Sequence, residues 1–335
     1  MRAPRIVTLL LALFVPSVQA GEVTPLRLAR TIALPDVEGR IDHLAIDLQG
    51  ERLFVAALGN NTVEVVDLRA GGRTQTLKGF DEPQGVVFLE VLNRLAVTNG
   101  GSGICELRDG QTLTRLTTLA VGEDADNMRY DSVTRYLYIG YGNGAVGVVD
   151  ACTGTRVGDI TLKAHPESLQ LESAGPRMYV NVPEAHEIAV LDRTQQRTIA
   201  SWPTAAVGQG NFPMALDETH HRLFVGFRQP AKLAAFDTTS GTLVAAVDCV
   251  GDADDIFYDA VRQRLYVAGG DGALEVFTQI NADTYQRLAR ISTPSGSRTA
   301  LYAPERNQLF LAVPHRGTQR AEIRIYAVSD GSPES

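Results

Sequence analysis

The chain has 335 residues, 44% hydrophobic and 21% charged, and its 39 acids against 31 Lys and Arg give a net charge of −8 at neutral pH. That balance repels phosphate backbones and anionic lipid, so no nucleic-acid partner is expected, whereas cations and basic groups are favoured. Three cysteines, Cys105, Cys152 and Cys249, with no CxxC pairing provide no disulfide framework and read as small hydrophobes.

The first segment, "MRAPRIVTLLLALFVPSVQA", carries two arginines, an apolar run from Ile6 to Val15 and a small-residue site ending at Ala20. The run is too short to span a bilayer and has the layout of a secretory signal, so residues 1–20 are expected to be cleaved. The mature chain, with net charge −10 once Arg2 and Arg5 are gone, is expected in the periplasm or secreted, without membrane insertion. Residues 21–330 read as one domain, expected as a monomer, and 331–335 as a disordered tail.

The next segment, "LRLARTIALP" over 26–35, has the composition of a lone strand. After it comes a repeat: "RLFVAALGNNTVEVVDLRAG" from Arg52, "RYLYIGYGNGAVGVVDACTG" from Arg135, "RLFVGFRQPAKLAAFDTTSG" from Arg222 and "RLYVAGGDGALEVF" from Arg264. Weaker copies start at Arg94, Arg177 and Gln308. Each holds two alternating β runs around a turn of Gly, Asn or similar residues. The residues just before each repeat's first strand are Asp42, Gln84, Asp126, Glu167, Phe212, Asp254 and Arg298, spaced by 42, 42, 41, 45, 42 and 44. That is the period of a four-stranded propeller blade. In the third repeat the strands are predicted at 127–131, 136–142, 145–151 and 156–163. The seventh repeat supplies three strands only, and an open blade edge is costly, so 26–35 is predicted to complete it. The fold class is therefore all-β, a seven-bladed β-propeller whose last blade is closed by an N-terminal strand.

The recurring "RLYV/RLFV", the Gly/Asn turn and the "VxVVD…TGT" run resemble the YVTN-type β-propeller family, which includes YncE-like bacterial proteins, across essentially all of the mature chain. The resemblance implies architecture, not activity.

In such a ring the seven anchor residues surround one mouth of the central channel. Asp42, Asp126, Glu167 and Asp254 then converge, flanked by His43, Asn127, Asn211 and Asp255, with Asp124 and Asp252 a step further out. Two unit charges about 6 Å apart at an effective dielectric near 20 repel by roughly 3 kcal/mol, so a cation, protonation or nearby bases must compensate. An all-oxygen donor set fits Ca²⁺ or Mg²⁺ better than a soft metal. A partial resemblance points the same way: calcium-dependent propeller hydrolases of the gluconolactonase and phosphotriesterase type draw Glu, Asn and Asp ligands from the starts of inner strands. The chain departs from that pattern at Gln84, Phe212 and Arg298. Solvated acids that help turns to form are the bland alternative.

His43 and His165 adjoin the anchors and are the candidate proton carriers near neutral pH. His186, His315 and Arg316 lie in loops expected at the same mouth, and His220 and His221 in a turn on the opposite face. Arg298 and Arg316 are candidate partners for a ligand carboxylate or phosphate, or for the acidic ring itself. Phe212 is a candidate stacking platform or plug. "GNGAVG" over 142–147 leads into a strand, so no helix terminus meets a phosphate there. "AHEI" lacks the second histidine of HExxH, and no GxSxG occurs. Binding of a polar small ligand or divalent cation at the mouth is the leading expectation. The alternatives are a Ca²⁺- or Mg²⁺-dependent hydrolase or lyase, and a scaffold for another envelope protein.

Overall fold

A computed structural model describes residues 24–330; the expected signal segment and tail lie outside the described residues. Seven four-stranded antiparallel sheets are formed, one per repeat. Blade 3 consists of Met128–Asp131, Tyr136–Tyr141, Ala145–Asp150 and Thr155–Thr161, within a residue or two of the alternation in the sequence. The "GNGAVG" segment turns tightly between the second and third of these strands, Tyr141 pairing with Ala145. Among the described residues the only helices are four single 3₁₀ turns, and none is long and apolar enough to cross a membrane.

The ring closes as the sequence predicts. Leu26–Ala33 pairs antiparallel with the last strand, Glu322–Val328, so that Leu26 faces Val328 and Ile32 faces Ile323. The N-terminal strand is thereby the outer strand of blade 7.

The hydrophobic core is divided into seven layers, one between each pair of adjacent blades. Phe54 of blade 1 stacks on Phe88 of blade 2 with ring centroids 5.6 Å apart. The layer between blades 7 and 1 joins Ile32, Phe310 and Ile323 to Leu44, Leu53 and Val55. Each fully buried side chain of this size contributes about 1.5–3 kcal/mol, and a gap between any two blades would expose the layer that joins them. All three cysteines are free, Cys105 in the layer between blades 2 and 3.

The repeated Asp and Arg have structural work. The Asp that ends the third strand accepts two backbone N–H groups of the following turn: Asp150 from Cys152 and Thr153, Asp192 from Thr194 and Gln195, Asp237 from Thr239 and Ser240. The Arg that opens the second strand reaches into the next blade and donates to carbonyls near its turn. Arg52 reaches Gly110, Arg94 reaches Ala151 and Cys152, and Arg177 reaches Thr238. Arg222 and Arg264 repeat this on Ala282 and Ser329. In blade 3 Arg135 makes only a 4.0 Å contact with Cys152 Sγ. Arg193 of blade 4 clamps that boundary instead, ion-paired with Asp131 and donating to Glu172 and Gly175.

Candidate functional site

Sevenfold closure brings the anchors together. Six of them, Gln84, Asp126, Glu167, Phe212, Asp254 and Arg298, line one cavity of about 600 Å³ at the mouth of the channel. Asp42, the seventh, lines the narrow throat beneath it. Glu123, Asp124, His165 and Glu184 extend the acidic wall outward.

Two of the four predicted acids already have cationic partners. Asp42, 2% exposed, lies 2.9 Å from Arg40 Nη2. Asp254 is paired with Arg228 Nη2, and its other oxygen is 3.1 Å from Arg298 Nε. Arg298 also donates to Asp252 at 2.9 Å, and Arg228 lies 3.4 Å from the same carboxylate. Burial raises the pKa of Asp42 and of Asp254 above the ordinary carboxylate range, opposed by His43 and then the arginines at Asp42 and by Arg298 and Arg228 at Asp254. Of the three mouth arginines only Arg298 is evident from the repeat. Arg40 lies two residues before its anchor, and Arg228 lies near the end of the second strand of blade 5, Arg222–Gln229.

Glu167 and Asp126 differ from that pair. No hydrogen bond or ion pair engages the Glu167 carboxylate among the described residues, and burial together with the Asp126 charge pushes it up to about 7. Asp126 Oδ1 is buried with no hydrogen-bond partner; its nearest cation is His43 Nε2 at 3.7 Å. Burial acts to lower the His43 pKa, but Asp126, Asp42 and Asp255 outweigh it and push the ring up to about 9. His43 therefore carries a proton at neutral pH, a resident cation in the throat, and would act as an acid before it could act as a base. With both ring nitrogens protonated, the Asn127 amide nitrogen 3.3 Å from Nε2 is a neighbour and not a hydrogen-bond donor to it.

His165 lines the mouth, its Nδ1 2.7 Å from the Gly142 carbonyl and 3.4 Å from Asp124. The remaining predicted residues are dispersed. Asn211 is fully buried in the wall, its amide donating to Asn181 Oδ1 and the Glu187 carbonyl. Asp255 lies below the throat and accepts from the Ala300 N–H at 2.7 Å. His315 pairs with Glu38 at 2.7 Å, and exposed Arg316 bridges through its backbone to Gln319; neither lines the cavity. His186 holds a left-handed conformation, φ 52°, closing a 3₁₀ turn where Asn61 does the same in blade 1. Phe212 lies under Arg228.

The mouth is thus a two-sided cup: three arginines tied to Asp42, Asp252 and Asp254 on one side, and on the other the unpaired Glu167 beside Asp126, whose cation is His43 at 3.7 Å. Among the described residues no group of three or more His, Cys, Asp or Glu side chains is arranged to hold a metal ion.

No family model and no curated protein matches the chain. Among solved structures it is similar to a chain of the crystal structure of a mitotic checkpoint complex, with a TM-score of 0.76 at 14% identity over 98% of this chain and 99% of that one. It is also similar to Kuenenia stuttgartiensis hydrazine synthase, with a TM-score of 0.71 at 15% identity over 83% and 93%. In all, 1748 chains match, a breadth that carries architecture and no single activity. What the likeness and the seven closed sheets establish together is the fold: the chain is a seven-bladed β-propeller.

Proposed function

We propose that the protein is an exported, YVTN-like propeller that binds a polar small ligand bearing a cationic or strongly hydrogen-bond-donating group in the mouth of its channel. The signal-like N-terminal pattern supports export, and the repeat sequence supports the family reading. The observation that carries the binding reading is the unpaired Glu167 carboxylate facing the cavity, beside Asp126, whose buried Oδ1 accepts no hydrogen bond. Leaving such groups without a partner costs a few kcal/mol that a bound cation or donor would recover. The arginine side of the cup would receive the ligand's oxygen acceptors.

The test is a thermal-unfolding screen at pH 7.5 with calcium chloride, magnesium chloride and small diamines such as putrescine, on the native chain and on Glu167→Gln. A concentration-dependent rise in melting temperature with at least one probe, absent in Glu167→Gln, is the expected result. Unfolding curves that overlay with and without every probe would reject the reading.

A further inference from the structure

Below the throat the channel widens again into a second chamber of about 420 Å³, separate from the mouth cavity. The throat between them has a volume of only about 20 Å³, and His43 and Asn127 form part of the lining of both the throat and the lower chamber. Chambers of this size suit small organic molecules.

The chamber's composition follows from the repeat. The residue three places after each anchor recurs at one level of the ring, and six of these seven line the chamber: Ala45, Val87, Arg129, Gln170, Phe257 and Leu301. The set is apolar apart from one amide and one guanidinium. Phe88 and Tyr130 add aromatic surface, and the Tyr130 hydroxyl is buried with no hydrogen-bond partner.

Arg129 is the unusual member. Its Nη1 donates to Asn127 Oδ1 and to the Met128 carbonyl at 2.9 Å. No carboxylate lies within ion-pair distance of it among the described residues, whereas each of the three mouth arginines has one. Nε and Nη2 make no hydrogen bond there. The nearby charges are Asp255 and Asp126, which favour the guanidinium without touching it, and burial lowers its pKa all the same. In the lining, Arg129 and protonated His43 face the single carboxylate of Asp255, which is engaged by the Ala300 N–H. His43 has its counter-charges, Asp126 and Asp42, in the throat, so among the described residues Arg129 is the chamber's one cation with no carboxylate in contact.

We propose that this chamber binds a small monocarboxylate with an aromatic or branched apolar body, the carboxylate on Nε and Nη2 of Arg129 and the body against Val87, Phe257 and Leu301. A guanidinium offers a carboxylate two parallel donors, and the apolar wall rewards burial of the remainder of the ligand. The proposal does not rest on the reading of the mouth, because the two cavities present different residues and opposite charge preferences.

Isothermal titration with phenylacetate and 4-methylpentanoate, and with the neutral isostere phenylacetamide, tests it. At least one carboxylate is expected to bind saturably, the amide at least about tenfold more weakly, and Arg129→Gln to lose at least about tenfold in affinity while Glu167→Gln at the mouth keeps it. The proposal is overturned if neither carboxylate binds, if phenylacetamide binds the native chain as well as phenylacetate, or if Arg129→Gln binds undiminished. Should Arg129→Gln fail to fold, the comparison of acid with amide on the native chain decides alone.

Discussion

The guanidinium carbon of Arg228 lies 3.6 Å from the centroid of the Phe212 ring, so the one aromatic anchor of the ring serves as the seat of a mouth arginine. Stacked there, Arg228 is held against Asp254 and Asp252. The platform expected for a ligand is occupied by the protein's own cation. Phe212→Ala removes the cation–π contact and loosens that ion-pair cluster, and is expected to cost about 1–2 kcal/mol in urea unfolding. Phe212→Tyr, which keeps a ring face, is expected to lose less than half of that.

Replacing Glu167 by Gln should stabilise the protein at neutral and alkaline pH. The folded-state pKa of about 7 lies above the ordinary value of 4.5. Between those two pH values the native state holds a proton that the unfolded chain has released. Stability attributable to this group is therefore full below about pH 4.5 and falls as pH rises through 7. Glu167→Gln is expected to melt several degrees above the native chain at pH 8 and at the same temperature near pH 4.5. Equal melting temperatures at pH 8 would show that the carboxylate is compensated in solution.

His43 works in the same direction over a higher range. Its pKa rises from 6.5 to about 9 on folding, so the stability it contributes is complete below about pH 6.5 and disappears as pH climbs through 9. That loss is on the order of 3 kcal/mol. Melting temperatures recorded from pH 6 to pH 10 should fall for the native chain and fall less steeply for His43→Gln.

The Arg that opens the second strand of a blade should matter only where it crosses to the next blade. Arg94→Met removes charge-assisted hydrogen bonds to the Ala151 and Cys152 carbonyls and is expected to cost about 2 kcal/mol in urea unfolding. Arg135→Met, at the matching place in the next repeat, removes only a long sulfur contact and should stay within about 0.5 kcal/mol of the native chain.

Ring closure can be tested at Ile32, which is 1% exposed in the layer between blades 7 and 1. Ile32→Asp places a charge in that layer and is expected to cost more than about 4 kcal/mol. If the N-terminal strand detaches, the freed edge of Glu322–Val328 is open to pairing, so size-exclusion chromatography should show self-association.

The sequence by itself determined the blades, their number and the strand that closes the circle. Alternation and period are local properties: in blades 1 to 5 an Asp at the end of the third strand caps its own turn, whatever lies across the ring. The level of each anchor was legible for the same reason, since a fixed offset within a repeat becomes a fixed height in the channel. What each anchor meets at that height was decided only by the tertiary structure. Arg228 reaches Asp254 from the neighbouring blade across 26 residues of sequence, and Arg40 supplies a counter-charge to Asp42 from a position outside the repeat pattern. Asn211 and Asp255, beside their anchors in the chain, turn instead into the wall and the lower chamber. Whether an acid stays unpaired depends on which side chains seven rotations bring to the same few ångström, and no local pattern encodes that sum; hence Glu167 stands free, Asp254 does not, and Arg129 remains without a carboxylate.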